Sequence, residues 1–136
     1  LNAFLTSTMQ YLVPIEYLQS DILVWVGLGL IHLAFLIIFI AQRNMANEWR
    51  IGIDNENKVN LITKGMFGIS RNPIFLGVII VFIGLFLIIP NAVTVVILVS
   101  GVIVIQVQVR LEEEFLLNQL GNEYKEYMSK VKRWIF

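Results

Sequence analysis

The chain has 136 residues, 57% of them hydrophobic, with zero formal net charge, a mean hydropathy of +0.76 and no cysteine. That length suits one domain over 1–136 rather than two, and the apolar fraction exceeds that of ordinary soluble domains. The absence of cysteine excludes disulfides and thiolate metal sites, and no other metal motif stands in the sequence, so the expected class is an all-α integral membrane protein.

Residues 1–18 are apolar enough to touch lipid but are interrupted by Pro14 and Glu16, and they lack the basic start of a signal peptide. They read as a short interfacial helix. From 21 to 41 the only charge is Asp21, and His32 is the only other ionisable group. At ~1.5 Å per residue such a stretch crosses a ~30 Å hydrocarbon layer. An ionisable group in mid-span is a functional candidate by default, but His32 has no partner at ligand spacing and reads as a structural histidine.

The segment 42–73 is too long for a plain connector. It mixes apolar residues with charges and contains "IDNENK", which reads as a turn. It ends in "SRNP", where Pro73 can open a helix with Asn72 as its N-cap. Arg71 beside it reads as an interface anchor. Two further apolar stretches follow, 74–89 and 92–109, turning at Pro90-Asn91. The first is short for a span and needs Pro73 or Pro90 within the membrane boundary, or a thinned bilayer. With 21–41 they make about three spans. Gly27, Gly29, Gly77, Gly84 and Gly101 read as helix-packing positions.

All ten Lys and Arg residues fall between Arg43 and Arg71 or between Arg110 and Arg133. The positive-inside rule therefore places the 42–73 loop and the tail from 110 in the cytosol. In the tail, Leu116, Leu117, Leu120, Tyr124, Tyr127 and Val131 make one face of a C-terminal amphipathic helix, provided Gly121 does not break it. On that wheel Glu113 lies within the apolar face, Glu112 at its edge and Glu114 away from it. A carboxylate on an apolar stripe is costly unless something positive meets it. Basic residues interleaved with aromatics next to a membrane point to anionic lipid rather than nucleic acid.

Taken together, "WRIGI", "LITKGMF" running into "SRNPIFLG", a hairpin of apolar segments, and "EEEFLLNQLGNEYKEYMSKVKRWI" resemble the isoprenylcysteine carboxyl methyltransferase and phospholipid methyltransferase superfamily over roughly 49–136. The family pattern is Arg-His/Asn-Pro-x-Tyr/Phe-x-Gly and later Glu-Glu-x-x-Leu-x-x-x-Phe-Gly-x-x-Tyr-x-x-Tyr. The resemblance implies a single membrane methyltransferase domain whose cytosolic loop and tail close over S-adenosylmethionine. Carried over by position, it implies that Val59, Asn60, Leu61, Ile62, Phe67, Asn72, Pro73, Ile74, Phe75 and Glu112 line the cofactor, with Asp54 at the margin. Glu112 and Glu113 are the implied catalytic pair, either taking a proton from an amine acceptor or shaping the field at the cofactor.

One position departs from the pattern. The isoprenylcysteine branch has a substrate-holding arginine one turn before the first glutamate, where this chain has Gln108; the nearest base is Arg110. Glutamine does not replace a bidentate guanidinium. Gln108 and Arg110 are thus the substrate-side candidates, and the acceptor is either an isoprenylcysteine-like carboxylate or a lipid amine, entering from the bilayer between the hairpin and the first span. Relatives carry one or two further N-terminal helices, which this chain is expected to lack. The rival readings are a non-catalytic membrane scaffold and an NADPH-dependent sterol-type reductase.

Overall fold

The computed structural model describes residues 13–51 and 60–135, with side chains in the first segment described as far as Met45. Among them are four α-helices and no strand: α1 (Asp21–Ile51), α2 (Pro73–Ile88), α3 (Ala92–Leu120) and α4 (Asn122–Lys130), with 3-10 turns at Glu16–Leu18 and Gly65–Gly68.

Each helix boundary has a local cause. Asp21 places a negative charge in the first turn of α1, where the helix dipole favours it. Pro73 opens α2 at a position that needs no N–H, and Pro90 cannot continue it. Asn91 and Thr94 then start α3 with a reciprocal capping box: the Thr94 N–H donates to Asn91 Oδ1 at 2.9 Å, and the Asn91 N–H donates to Thr94 Oγ1 at 3.1 Å. Gly121 ends α3 at φ 55° and ψ −118°, a conformation that suits glycine. The tail is therefore two helices, α3 and α4, and not one continuous amphipathic helix.

The helices pack through small residues. Gly27, Ala34 and Ala41 recur every seven residues along α1, and all three are buried. Gly27 and Ala34 face Gly84 and Gly77 of α2, which runs antiparallel. A Cβ on Gly27 would lie 2.7 Å from the Gly84 carbonyl oxygen, and one on Gly84 would lie 2.8 Å from that of Gly27. Backbones this close permit the dispersion contact that holds helices together in lipid. On its other side α2 meets α3, where the Phe82 ring covers Gly101. Gly29, expected at a packing position, instead faces open space. It lies two residues from Gly27, on the opposite side of the helix.

Among the described residues two helices are long and apolar enough to cross a membrane: α1, over Asp21–Met45, and α3, Ala92–Leu120. The apolar part of α3 ends at Val109, and the helix continues beyond it into Arg110 and the glutamates. With 16 residues α2 is about 24 Å long, short of a ~30 Å layer. At the turn between α2 and α3, Val13 to Ile15 run alongside: Ile15 N–H donates to Pro90 O at 2.9 Å, and Ala92 N–H donates to Val13 O at 3.2 Å. This corrects the expected interfacial helix over its described part, which forms a single β-bridge from Pro14 to Asn91 and then turns once at Glu16–Leu18; residues 1–12 lie outside the described residues. The antiparallel arrangement gathers Arg43, Arg71 and Arg110 at the opposite end.

Candidate active site

At that basic end the entrance to α2 is joined to the tail by a dense set of polar contacts. Glu113, on the extension of α3, is buried. Arg71 reaches its Oε1 with Nε at 3.1 Å and Nη2 at 2.9 Å. From the other side Arg133 reaches Oε2 with Nη2 at 2.6 Å, and its Nε lies 3.2 Å from both oxygens. Two guanidiniums thus grip one carboxylate with charge-assisted bonds.

The contacts extend to the backbone. Arg71 Nη1 donates to Met128 O and Val131 O, both at 3.2 Å, satisfying carbonyls at the end of α4. Its own N–H donates to Lys132 O at 3.0 Å. The Ser70 hydroxyl donates to Arg133 O at 3.1 Å and accepts the Asn72 N–H at 3.2 Å. Tyr127 OH donates to Phe67 O at 2.6 Å. Residues 67–72 and 127–133 are thereby fastened to one another.

Two side chains serve differently from the sequence expectation. Asn72 occupies the N-cap position of α2, but its side chain makes no cap bond; Nδ2 donates to Arg133 O at 3.4 Å. Arg71 points into the protein and pairs with Glu113 rather than reaching outward as an interface anchor.

The remaining candidates separate by exposure. Glu112, Glu114, Gln108 and Arg110 are exposed, and among the described residues Gln108 and Arg110 make no side-chain hydrogen bond or ion pair. Asn72 and Pro73 are buried, Leu61, Ile62, Phe67, Ile74 and Phe75 are half-buried, and Asn60 is exposed. Val59 and Asp54, with the whole "IDNENK" turn, lie outside the described residues. The structure therefore brings Phe67, Asn72, Pro73 and Glu113 into one assembly and leaves Gln108 and Arg110 on open surface.

Electrostatics divide the two glutamates. Burial pushes the Glu113 carboxyl up, but the hydrogen bonds and charges of Arg133 and Arg71 outweigh it and hold the group below the ordinary glutamate value. Glu112 is shifted upward, first by the desolvating protein around it and then by the charge of Glu113. Its surface is still open to water, which screens that shift. Tyr124 is 1% exposed, and burial, followed by the charge of Glu113, pushes its phenol up to about 12. Its ring centroid lies 5.9 Å from that of Tyr127, tilted by 51°.

Ser70, Tyr124, Tyr127 and Arg133 were not picked out as site residues by the sequence reading. A cue did exist. Glu113 on an apolar stripe demands a cation, and Arg71 and Arg133 both flank the membrane-boundary motifs. Away from this end, the first span packs directly on the hairpin through Gly27 and Gly84. A groove of about 310 Å³ lies between α2 and α3, lined by residues including Val78, Phe82, Ser100 and Ile105.

With this geometry in place, comparison with known proteins gives a family. The model described as PEMT, phospholipid methyltransferase, matches residues 22–123. The chain belongs to this family, which implies a methyltransferase activity in a membrane protein. No curated protein and no solved structure matches it.

Proposed function

We propose that this member of the phospholipid methyltransferase family transfers a methyl group from S-adenosylmethionine to a lipid amine at the cytosolic membrane interface. The observation that carries this reading is how the charges are committed. Among the described residues, both guanidiniums that reach the site are taken by Glu113, while the Glu112 carboxylate is open. A carboxylate acceptor calls for a free cation. Gln108 is neutral, and Arg110 sits two residues before Glu112, nearly half a turn round the helix. An amine acceptor calls instead for an acceptor of protons, and among the described residues at this site Glu112 is the available one.

The residues present fit S-adenosylmethionine. The first turn of α2 receives no side-chain cap, so its N–H groups are available to an anionic or hydroxyl group. Leu61, Ile62, Phe67 and Phe75 offer partly buried apolar surface to an adenine ring, and Glu112 offers an acceptor to hydroxyl or ammonium groups. When bound, S-adenosylmethionine supplies a methyl group already activated on a sulfonium. The work left to the chain is alignment, exclusion of water and proton handling. The knot at Glu113 fixes the entrance of α2 against the tail. Glu112, with its raised proton affinity, accepts the proton that an ammonium must lose before its nitrogen can attack. The groove between α2 and α3 gives the acceptor's hydrocarbon an apolar path along the hairpin. The clustering of basic residues at this end supports the cytosolic placement.

Titration calorimetry in detergent with S-adenosylhomocysteine, beside transfer of labelled methyl groups into micelles of an amine-bearing or a carboxylate-bearing lipid, tests the proposal. Binding with label in the amine lipid is expected. No binding at millimolar ligand by a folded preparation, or binding of NADPH in its place, overturns the methyl-transfer reading. Label in the carboxylate lipid alone overturns the choice of acceptor.

A further inference from the structure

The extension of α3 beyond Arg110 carries a surface that the knot at Glu113 does not use. Leu111 and Phe115 are large apolar side chains, 57% and 53% exposed, on an otherwise charged segment. Successive helical residues are ~100° apart. Leu111 and Phe115 therefore share one narrow stripe with Val93, Ile97, Val104 and Val107, all of them exposed. Ile105, Val109 and Glu113, which are buried, lie on the other side of the helix. Asn118 falls on the same line as the stripe and ends it after Phe115.

From Val93 to Val107 an outward apolar face is what a span presents to hydrocarbon. Leu111 and Phe115 prolong that face past the first charge, where water would be a poor neighbour for them. Their depth fits another one. Leu111 stands ~28 Å along the helix from Ala92, and Phe115 ~6 Å further. A bilayer offers ~30 Å of hydrocarbon within ~40–45 Å that includes the headgroups. With the Asn91 turn at the far edge of the hydrocarbon, Leu111 reaches its cytosolic edge and Phe115 enters the headgroup layer. Arg110 is exposed, with no ion pair among the described residues. At this depth its stem can lie on apolar surface while its guanidinium reaches lipid phosphate.

We propose that Leu111 and Phe115 form a lipid-contacting surface that seats the extension of α3 in the headgroup layer of the cytosolic leaflet instead of leaving it clear in water. Continuity with the outward face of the span commits this surface to lipid rather than to a second chain. It also sets the level of the candidate site. Glu112 follows Leu111 directly, so the open carboxylate and the Arg71–Glu113–Arg133 knot stand at headgroup depth, whatever reaction occurs there.

Because the chain has no cysteine, V104C, L111C, F115C and S129C can each carry a single nitrobenzoxadiazole label. All four side chains are exposed, so the replacements should leave Tm close to that of wild type. Fluorescence is read in dioleoylphosphatidylcholine nanodiscs, which are open on both faces. The quenchers are phosphatidylcholine spin-labelled on the headgroup, high on the acyl chain or low on it, and iodide in the water. V104C is expected to be quenched best by the low chain label, L111C by the high chain label and F115C by the headgroup label. S129C should be quenched best by iodide, several-fold more than L111C or F115C. Iodide quenching of L111C or F115C as strong as that of S129C overturns the proposal, because that residue then stands in water. Protection of both from iodide and from every lipid label also overturns it, and means that a second chain covers the face. If one labelled variant fails to fold, the other position decides. Iodide quenching of V104C would overturn the span itself and the proposal with it.

Discussion

Three glutamates in a row, 112 to 114, show how position rather than residue type sets a role. Glu113 is enclosed with two guanidiniums; Glu112 and Glu114 look outward. Replacing Glu113 by Gln leaves Arg71, 11% exposed at its side chain, beside Arg133 with no anion between them. Breaking a buried pair in this way costs roughly 3–5 kcal/mol. Arg133 is 35% exposed and partly solvated, so about 2–4 kcal/mol is the expected loss. E114Q should stay within about 0.5 kcal/mol, and E112Q should fold normally while reducing turnover about tenfold or more. The same series carries a pH signature. The folded-state pKa of Glu113 is lowered, so its contribution is complete above the unfolded value of about 4.3 and is lost as pH falls through the lower folded value. Thermal melts between pH 7 and 3 should show acid destabilisation in the wild type that is smaller in E113Q. If E114Q is the damaging change, Glu113 is not the hub.

Among the elements, the boundaries were the legible part. Pro73 and Pro90-Asn91 each mark a real helix end, because proline acts through its own covalent geometry, whereas the break at Gly121 was not read from the sequence. The glutamate register was also readable, since helical periodicity needs no partner to be known. Long-range pairing was not. Arg71 and Glu113 lie 42 residues apart, and no local pattern says which cation meets a given carboxylate. Nor did the sequence show which glycines make contact: Gly27 and Gly29 look alike in a string, and only the sevenfold recurrence with Ala34 and Ala41 singles out the first. That difference is testable. G27A places a methyl group 2.7 Å from the Gly84 carbonyl oxygen and 2.8 Å from Ile88 Cγ1, so α1 and α2 must separate. A loss of about 1–3 kcal/mol is expected, as for other overpacked sites. G29A meets nothing within 4 Å and should be neutral or slightly stabilising through helix propensity. Equal Tm losses in detergent for the two variants would count against the crossing.

For the whole molecule, the question is how a 16-residue helix could serve as one arm of a hairpin in a membrane. A turn below the headgroup level is tolerable only if its backbone and side-chain polar groups are satisfied within the protein, and this turn is well supplied. Asn91 and Thr94 cap one another, the Thr94 hydroxyl also donates to Ile89 O at 2.7 Å, and the Pro90 carbonyl accepts from Ile15. Pro90, Asn91 and Thr94 are all buried. The Val13–Ile15 segment thus covers the turn, and in a spanning arrangement we expect it to let the turn sit deeper than a free loop could, offsetting the shortness of α2 without requiring a thinned bilayer. We expect a three-span arrangement in which the turn is shielded, Ser20 lies on the same side in water, and Ser129 lies on the cytosolic side. Because the chain has no cysteine, single replacements S20C, A92C and S129C can be read with a membrane-impermeant maleimide on sealed vesicles of known orientation. S129C should react only from the cytosolic side and S20C only from the other. A92C should react from the same side as S20C but at least several-fold more slowly. Labelling of A92C from the cytosolic side would mean that α2 does not cross, and labelling as fast as S20C would mean that the turn lies in water, with α2 spanning a thinned bilayer.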